Sequence, residues 1–347
     1  MRRGWSSTRA KSAKLTGQRG GALRSAILFF SMLALLAVAS IAAGGYFAYR
    51  EAARPGPLGQ PTVVLLKAGS SVSSIGKQLQ AAGVIRYPEL FVAVVRVRGL
   101  QGSLKAGEYQ VSAGASVLDV VDLLVEGKSI LHQFTAPEGR TTAQILRLIE
   151  ANAVLVGDLS VSPAEGELLP ETYAFTRGES RDGMVRSMMK AQKKLLDELW
   201  DGRALELPFN TRKEALTLAS IVEKETGIPE ERARIAAVFI NRLKRGMRLE
   251  SDPTVIYGLT GGEPLGRGLR LSELRKETPY NTYIVAGLPP TPIANPGRAS
   301  IEAVLNPLNT TEIFFVADGS GGHAFASTIQ EHNRNVAKWR RIEREDG

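Results

Sequence analysis

LASIVEKETG, residues 218–227, marks where a buried helix stops and what stands at its end. Leu218, Ala219, Ile221 and Val222 carry the apolar stripe of a core helix. Glu223, Lys224 and Glu225 follow, and Gly227 and Pro229 terminate the run. Glu225 lies three residues after Val222 and seven after Leu218, so it continues their stripe. Glu223 lies four after Ala219 and seven after Leu216, on another side. The two carboxylates stand about 200° apart around the axis. They cannot straddle one glycosidic bond as a paired-carboxylate glycosidase requires. Glu225 is therefore the candidate general acid: shelter and the negative end of the helix dipole both disfavour its ionised form. Lys224 opposes this only if it turns toward Glu225. Glu223 is expected to orient Glu225 indirectly, to pair with Arg232 or Arg234, or to cap local structure.

Outward from this stretch, Arg181–Trp200 and Arg212–Thr226 have helical periodicity. Pro229 suits a first helical position, and Gly246 closes the helix that it opens. SDPTVIYGL (251–259), TPYNTYIVAGLPPTPIANPG (278–297) and LLPETYAF (168–175) read as loops, of a composition that suits a cleft rim. EIFFVAD and HAFAS flank GSGG (319–322) as a hairpin, with a helix following through Trp339. No Gly-Lys-Ser/Thr follows GSGG, so it is a turn and not a phosphate loop. His132, His323 and His332 are the only histidines, and no HExxH or Gly-x-Ser-x-Gly occurs; no metal site is expected.

Towards the N-terminus, AGSSVSSIGKQL (68–79), AGASVLDVVDLL (113–124) and EGRTTAQILRLI (138–149) align without a gap. Ser71, Ser116 and Thr141 take the N-cap position, and apolar residues recur at i, i+4. With TVVLL (62–66) and GEYQV (107–111) as strands, the first part reads as a strand–helix–helix–strand module resembling a degenerate LysM domain. LysM domains bind N-acetylglucosamine polymers.

The formal charge of +9 is concentrated at the start of the chain. Residues 1–24 hold seven cations and no acid; without them 37 basic residues face 35 acidic ones. A nearly neutral globular part excludes nucleic acid as the expected partner. Ser25–Tyr49 are 25 residues without a charge, more than the roughly 20 that cross a bilayer core. The cations ahead of the span orient the N-terminus to the cytoplasm. The span exceeds the roughly 7–15 residues of a signal-peptide core, so an uncleaved anchor is expected. The absence of cysteine excludes disulfides and thiol catalysis. The expected organisation is a basic cytoplasmic tail (1–24), a transmembrane helix (25–49), a stiff linker (50–61), a LysM-like α/β subdomain (62–130), a mixed α+β catalytic domain (131–341) and a tail (342–347).

ASIVEKET (219–226), VFINRLKRGMRLESDPTVIYG (238–258), YNTYIVAGLPP (280–290) and FFVADGSGGHAF (314–325) closely resemble the YceG-like (MltG) family of endolytic murein transglycosylases. The resemblance runs over roughly residues 60–340. It implies a single-pass inner-membrane enzyme with a periplasmic catalytic domain. Such an enzyme cleaves MurNAc–GlcNAc bonds within peptidoglycan glycan strands and leaves 1,6-anhydroMurNAc ends, which would terminate elongation of nascent strands. The family's catalytic glutamate falls on Glu225. Asn281 and Tyr283 are expected to hold the N-acetyl group or stack on sugar, and Glu171, Tyr173, Asp252 and His323 to line subsites. No cofactor is implied: an older family label, aminodeoxychorismate lyase, denotes pyridoxal-phosphate chemistry on a cytosolic substrate, and the anchor puts this domain outside. Partners implied are glycan strands, membrane lipid along 25–49, and penicillin-binding proteins or other cell-wall synthases. The competing reading is a non-catalytic peptidoglycan-binding scaffold for such synthases.

Overall fold

The computed structural model describes residues 19–67 and 69–346. The basic segment 1–18 lies outside the described residues, as does most of the expected tail 1–24. The described chain is mixed α+β and forms two compact units, Met1–Ile130 and Leu131–Gly347.

The first unit begins with helix α1 (Arg19–Ala52). Residues 24–52 form a 29-residue stretch long and apolar enough to cross a membrane, with Leu28, Phe30, Leu35 and Ile41 exposed. An outward-facing apolar helix of this length fits a single-pass anchor. Strand β1 (Thr62–Leu66), helices α2 (Val72–Ala81) and α3 (Pro88–Val97), strand β2 (Gly107–Val111) and helix α4 (Val117–Glu126) complete the unit. Strands β1 and β2 pair antiparallel, Thr62 opposite Val111 and Leu66 opposite Gly107. The strands fall at the expected residues. The expected N-caps are in place: Ser71 accepts from the Ser74 N–H, and Ser116 forms a reciprocal capping box with Asp119. Leu66, Leu79, Phe91, Tyr109 and Val120 are buried together in one core.

The expected linker is a correction. Residues 50–52 are still helical and Ala52 is fully buried in that core. Beyond it, the Gly56 N–H donates to the Gly114 carbonyl at 3.1 Å and the Gly114 N–H to the Leu58 carbonyl at 2.9 Å. Backbone hydrogen bonds strap this segment to the module and leave no free spacer.

In the second unit, strand β3 (Leu131–Thr135) pairs antiparallel with β4 (Thr172–Thr176). Helix α5 (Thr142–Glu150) lies between them in sequence, opened by a capping box of Thr141 and Gln144. Then come α6 (Arg181–Trp200), α7 (Arg212–Glu225), α8 (Pro229–Lys244), α9 (Asp252–Thr260), the single turn α10 (Leu271–Leu274) and α11 (Arg298–Leu305). The hairpin β5 (Phe314–Ala317) and β6 (His323–Ala326) and helix α12 (Ile329–Asp346) close the chain. Three readings are corrected here. SDPTVIYGL is largely α9, because Pro253 sits in its first turn, where the missing N–H costs nothing. LLPETYAF contains β4, which alternates burial only weakly and so hides its period. Helix α12 continues through the segment expected as a tail at 342–346.

Helix α7 organises the larger core. Ala215 to Val222 are all buried, against Ile235, Ala236 and Phe239 of α8 and Ile301 and Val304 of α11. Thr211 and Glu214 fix its start by a reciprocal capping box. A second cluster of Phe134, Ile145, Ile149, Phe175, Met184 and Met188 joins the small sheet to α5 and α6. Leu218 is fully buried at the centre of the larger core. Leu218→Ala should therefore cost about 2–5 kcal/mol of stability, read as a lowered urea midpoint with unchanged slope.

Candidate active site

The site forms where α7 runs out. Thr226 leaves helical geometry at φ −142° and ψ 137°. Its hydroxyl accepts from the Ile228 N–H at 3.0 Å, and Pro229 then opens α8. This reversal holds the last residue of α7, Glu225, at the edge of the core.

Glu225 keeps partial access to solvent, while its carboxyl lies among protein atoms. Oε1 accepts from the Ser251 hydroxyl at 2.5 Å. Burial pushes the Glu225 carboxyl up to about 7; the Ser251 hydrogen bond opposes this, the Asp252 charge adds to it, and His323 and Arg242 oppose it. Lys224 turns away, its ammonium donating to the Gly139 carbonyl at 3.3 Å.

Ser251 is the N-cap residue of α9 and is 2% exposed. Its N–H donates to Thr282 Oγ1 at 3.0 Å, and its carbonyl accepts from the Thr254 hydroxyl at 2.7 Å. The preceding Glu250 has φ 52°, a left-handed conformation that a non-glycine residue rarely adopts. Arg242 stabilises the segment from α8: it donates to the Leu249 carbonyl at 2.8 Å, and its guanidinium is 3.2 Å from the Glu250 carboxylate. Backbone strain and a buried arginine thus aim one hydroxyl at one carboxyl.

Asp252 is exposed beside this pair and accepts from the Tyr283 hydroxyl at 2.7 Å. Burial and Asp252 push the Tyr283 phenol well above its usual range, so it stays a hydrogen-bond donor. On β6, the His323 N–H donates to Glu231 Oε1 at 2.8 Å, and Nδ1 lies 2.7 Å from Glu231 Oε2. Burial raises the Glu231 carboxyl, but the bonds from His323 outweigh it and hold it below its usual range.

The other expected residues are distributed differently. Asn281 is fully buried: its amide donates to the carbonyls of Leu274 and Lys276, and its Oδ1 accepts from the Tyr283 N–H at 3.0 Å. With its polar atoms engaged, Asn281 shapes the loop that carries Tyr283 and does not itself present to a sugar. Glu223 pairs with neither Arg232 nor Arg234. Its Oε2 accepts from the Gly297 N–H at 3.0 Å at the start of α11, whereas Arg234 pairs with Glu312. The Tyr173 hydroxyl donates to the Leu169 carbonyl at 2.8 Å. Exposed Glu171 groups with Glu138 and Glu223, whose charges, after burial, raise the Glu138 carboxyl against the pull of Arg232. Ser251 and Glu231 were not expected. The sequence signal available for Ser251 is a serine directly before Asp-Pro, an N-cap pattern hidden inside an apparent loop.

A carboxyl with near-neutral affinity for its proton, held by a hydroxyl and flanked by Asp252 and other polar groups, defines an acid/base site that can both give and take back one proton. The YceG-like family model matches residues 64–338, and the chain belongs to that family. It is 31% identical over 306 residues to a Bacillus subtilis protein named endolytic murein transglycosylase, covering 79% of this chain and 83% of that one. A Streptococcus pneumoniae protein of the same name is 29% identical over 357 residues, covering 88% of this chain; the match spans only 64% of that longer relative. A crystal structure of a yceG-like protein from Listeria monocytogenes is 32% identical, covers 79% of this chain and 98% of that chain, and gives a TM-score of 0.49.

Ser251→Ala removes the bond that favours ionised Glu225, so the pKa seen in kcat/KM should rise while kcat falls by about tenfold; a pH–rate profile reads both. A second outcome concerns stability. A carboxyl with a raised folded pKa binds its proton more tightly in the native state. Native stability therefore declines as pH rises from the ordinary glutamate range through about 7. Glu225→Gln should gain about 3 kcal/mol over the unmodified chain at pH 8 and about nothing at pH 4, measured by urea titration at both pH values.

Proposed function

We propose that this protein is a membrane-anchored endolytic murein transglycosylase with Glu225 as its one catalytic carboxyl. The observation that carries the reading is Glu225 at the end of α7, hydrogen-bonded by Ser251 and with a carboxyl raised to about 7, in a chain of the YceG-like family. The relatives' shared name, endolytic murein transglycosylase, supports the substrate and reaction class.

The mechanism needs no second carboxylate. Protonated Glu225 gives its proton to the glycosidic oxygen between MurNAc and GlcNAc as the C1–O bond breaks. The C6 hydroxyl of the same MurNAc closes on C1, and its proton passes to the Glu225 carboxylate. One strand then ends in 1,6-anhydroMurNAc and the other in a free GlcNAc hydroxyl, with no water consumed. Positioned proton transfer contributes about 10²–10⁴-fold, and the nucleophile is already part of the substrate. Ser251 stabilises the carboxylate between the two transfers. Tyr283 and Asp252 stand as a donor–acceptor pair for sugar hydroxyl or N-acetyl groups, and the His323–Glu231 pair supplies a further polar wall. Glu171 and Tyr173 lie further along the same unit as candidates for more distant subsites, and Glu223 acts as a structural acceptor.

The β1-α2-α3-β2 order supports a LysM-like, glycan-holding role for the first unit. The apolar helix α1, preceded by arginines and lysines, supports a cytoplasmic N-terminus with the catalytic unit on the periplasmic side of the inner membrane. Cell-wall synthases such as penicillin-binding proteins are the partners in keeping with termination of growing strands.

Mass spectrometry of murein strands incubated with the protein tests the reading. Internal cleavage products with anhydro ends are expected, and Glu225→Gln should lower their rate by at least about 10³-fold while circular dichroism stays native. Reducing ends, heavier by one water, would mean hydrolysis; binding without cleavage would leave a scaffold.

A further inference from the structure

A cavity of about 320 Å³ lies beside the end of α7 and the start of α9, with walls that include Pro253, Ile256, Leu265 and Ile293, and with Lys224 and Arg267 on its lining. It continues both segments that build the acid site. Lys224 directly precedes Glu225 on the last turn of α7, about 100° around the axis. Pro253 lies in the first turn of α9, two residues after Ser251. A ligand reacting at Glu225 therefore has this cavity on its flank.

The two cations differ in state. Arg267 is neutralised by Glu273, with its two guanidinium nitrogens 2.9 and 2.6 Å from the carboxylate oxygens. Lys224 is exposed, and among the described residues no carboxylate stands within ion-pair distance of it. One of its three donors reaches the Gly139 carbonyl, which leaves two for a ligand. The nearby acids have partners of their own: Glu223 accepts from the Gly297 N–H, and Glu138 faces Arg232 at 3.8 Å.

We propose that this cavity receives the stem peptide of the muramyl residue under attack, with Lys224 as counter-ion to a stem carboxylate. This rests on the transglycosylase reading. The sugar rings of murein are neutral; its charge resides in peptides joined to the lactyl group of MurNAc. The bond broken is at C1 of that same sugar, so the lactyl group and the first peptide residues lie within a few bond lengths of the acid. Proline, isoleucine and leucine walls suit the small apolar side chains of such a peptide, and an ammonium suits its carboxylates. Lys224 is a specificity residue here, not a proton carrier.

The test uses the full chain in detergent micelles and two substrates: murein strands bearing stem peptides, and the same strands stripped by an amidase. The readout is the ratio of their kcat/KM values for release of anhydro ends. The unmodified protein should favour the peptide-bearing strands. In Lys224→Met that ratio should fall about three- to tenfold, the worth of a partly exposed charged contact, and Lys224→Arg should retain it. An equal loss on both substrates would assign Lys224 to bracing the Gly139 carbonyl and overturn the proposal, as would an unchanged ratio. If the unmodified protein releases no anhydro ends from either substrate, the transglycosylase reading falls and this subsite falls with it.

Discussion

The burial of one helix face after another along Ala215–Val222 is the constraint on which the larger unit depends. Eight successive residues are buried, so α7 is held from several sides, by α8, α9 and α11 and by the loop at Ile293. Ser220, fully buried within this run, donates its hydroxyl to the Thr217 carbonyl and accepts from the Ile293 N–H at 2.9 Å. A helix gripped in this way cannot rotate or slide. Its terminal side chain, three residues past the last buried one, therefore has a fixed address. Precision at Glu225 comes from packing well upstream of it.

The electrostatics around Glu225 follow the same economy. Burial alone would leave the carboxyl protonated too tightly to serve as a base. The Ser251 hydroxyl, His323 and Arg242 moderate it, while the Asp252 charge works in the opposite sense. The result is a group near the midpoint of its titration at neutral pH, where loss and recovery of a proton have similar free energies. The positive Arg242 does double service. It satisfies backbone carbonyls at 249 and 313 and places the strained Glu250 so that Ser251 faces inward.

Local patterns carried much of this in the sequence. The 3.6-residue period marks α6, α7 and α8, and the Gly-x-Ser/Thr starts mark three helices whose caps close as expected. The wheel position of Glu225 relative to Leu218 and Val222 singled it out because burial follows the helix period. What local pattern did not carry is long-range. Ser251 lies 26 positions after Glu225 and Glu231 lies 92 before His323; neither neighbour is visible from spacing. Asn281 misled for a related reason. An asparagine in a polar loop looks free to meet a ligand, but here the loop folds back on it and consumes its amide. Helix α9 escaped notice because its nine residues include a proline and a glycine, both of which punctuate loops more often than helices.

The first unit has a mechanical property of its own. Helix α1 runs unbroken from the apolar stretch into the core of the module, with Ala52 sealed inside, and the following residues are stitched down at Gly56 and Gly114. With 29 residues from Arg24 to Ala52, this rod is about 43 Å long, some 13 Å more than a hydrocarbon core is thick. The surplus is rigid and already docked. A helix that runs straight into the module's core leaves no slack between the apolar stretch and the βααβ fold, so the two move as one piece.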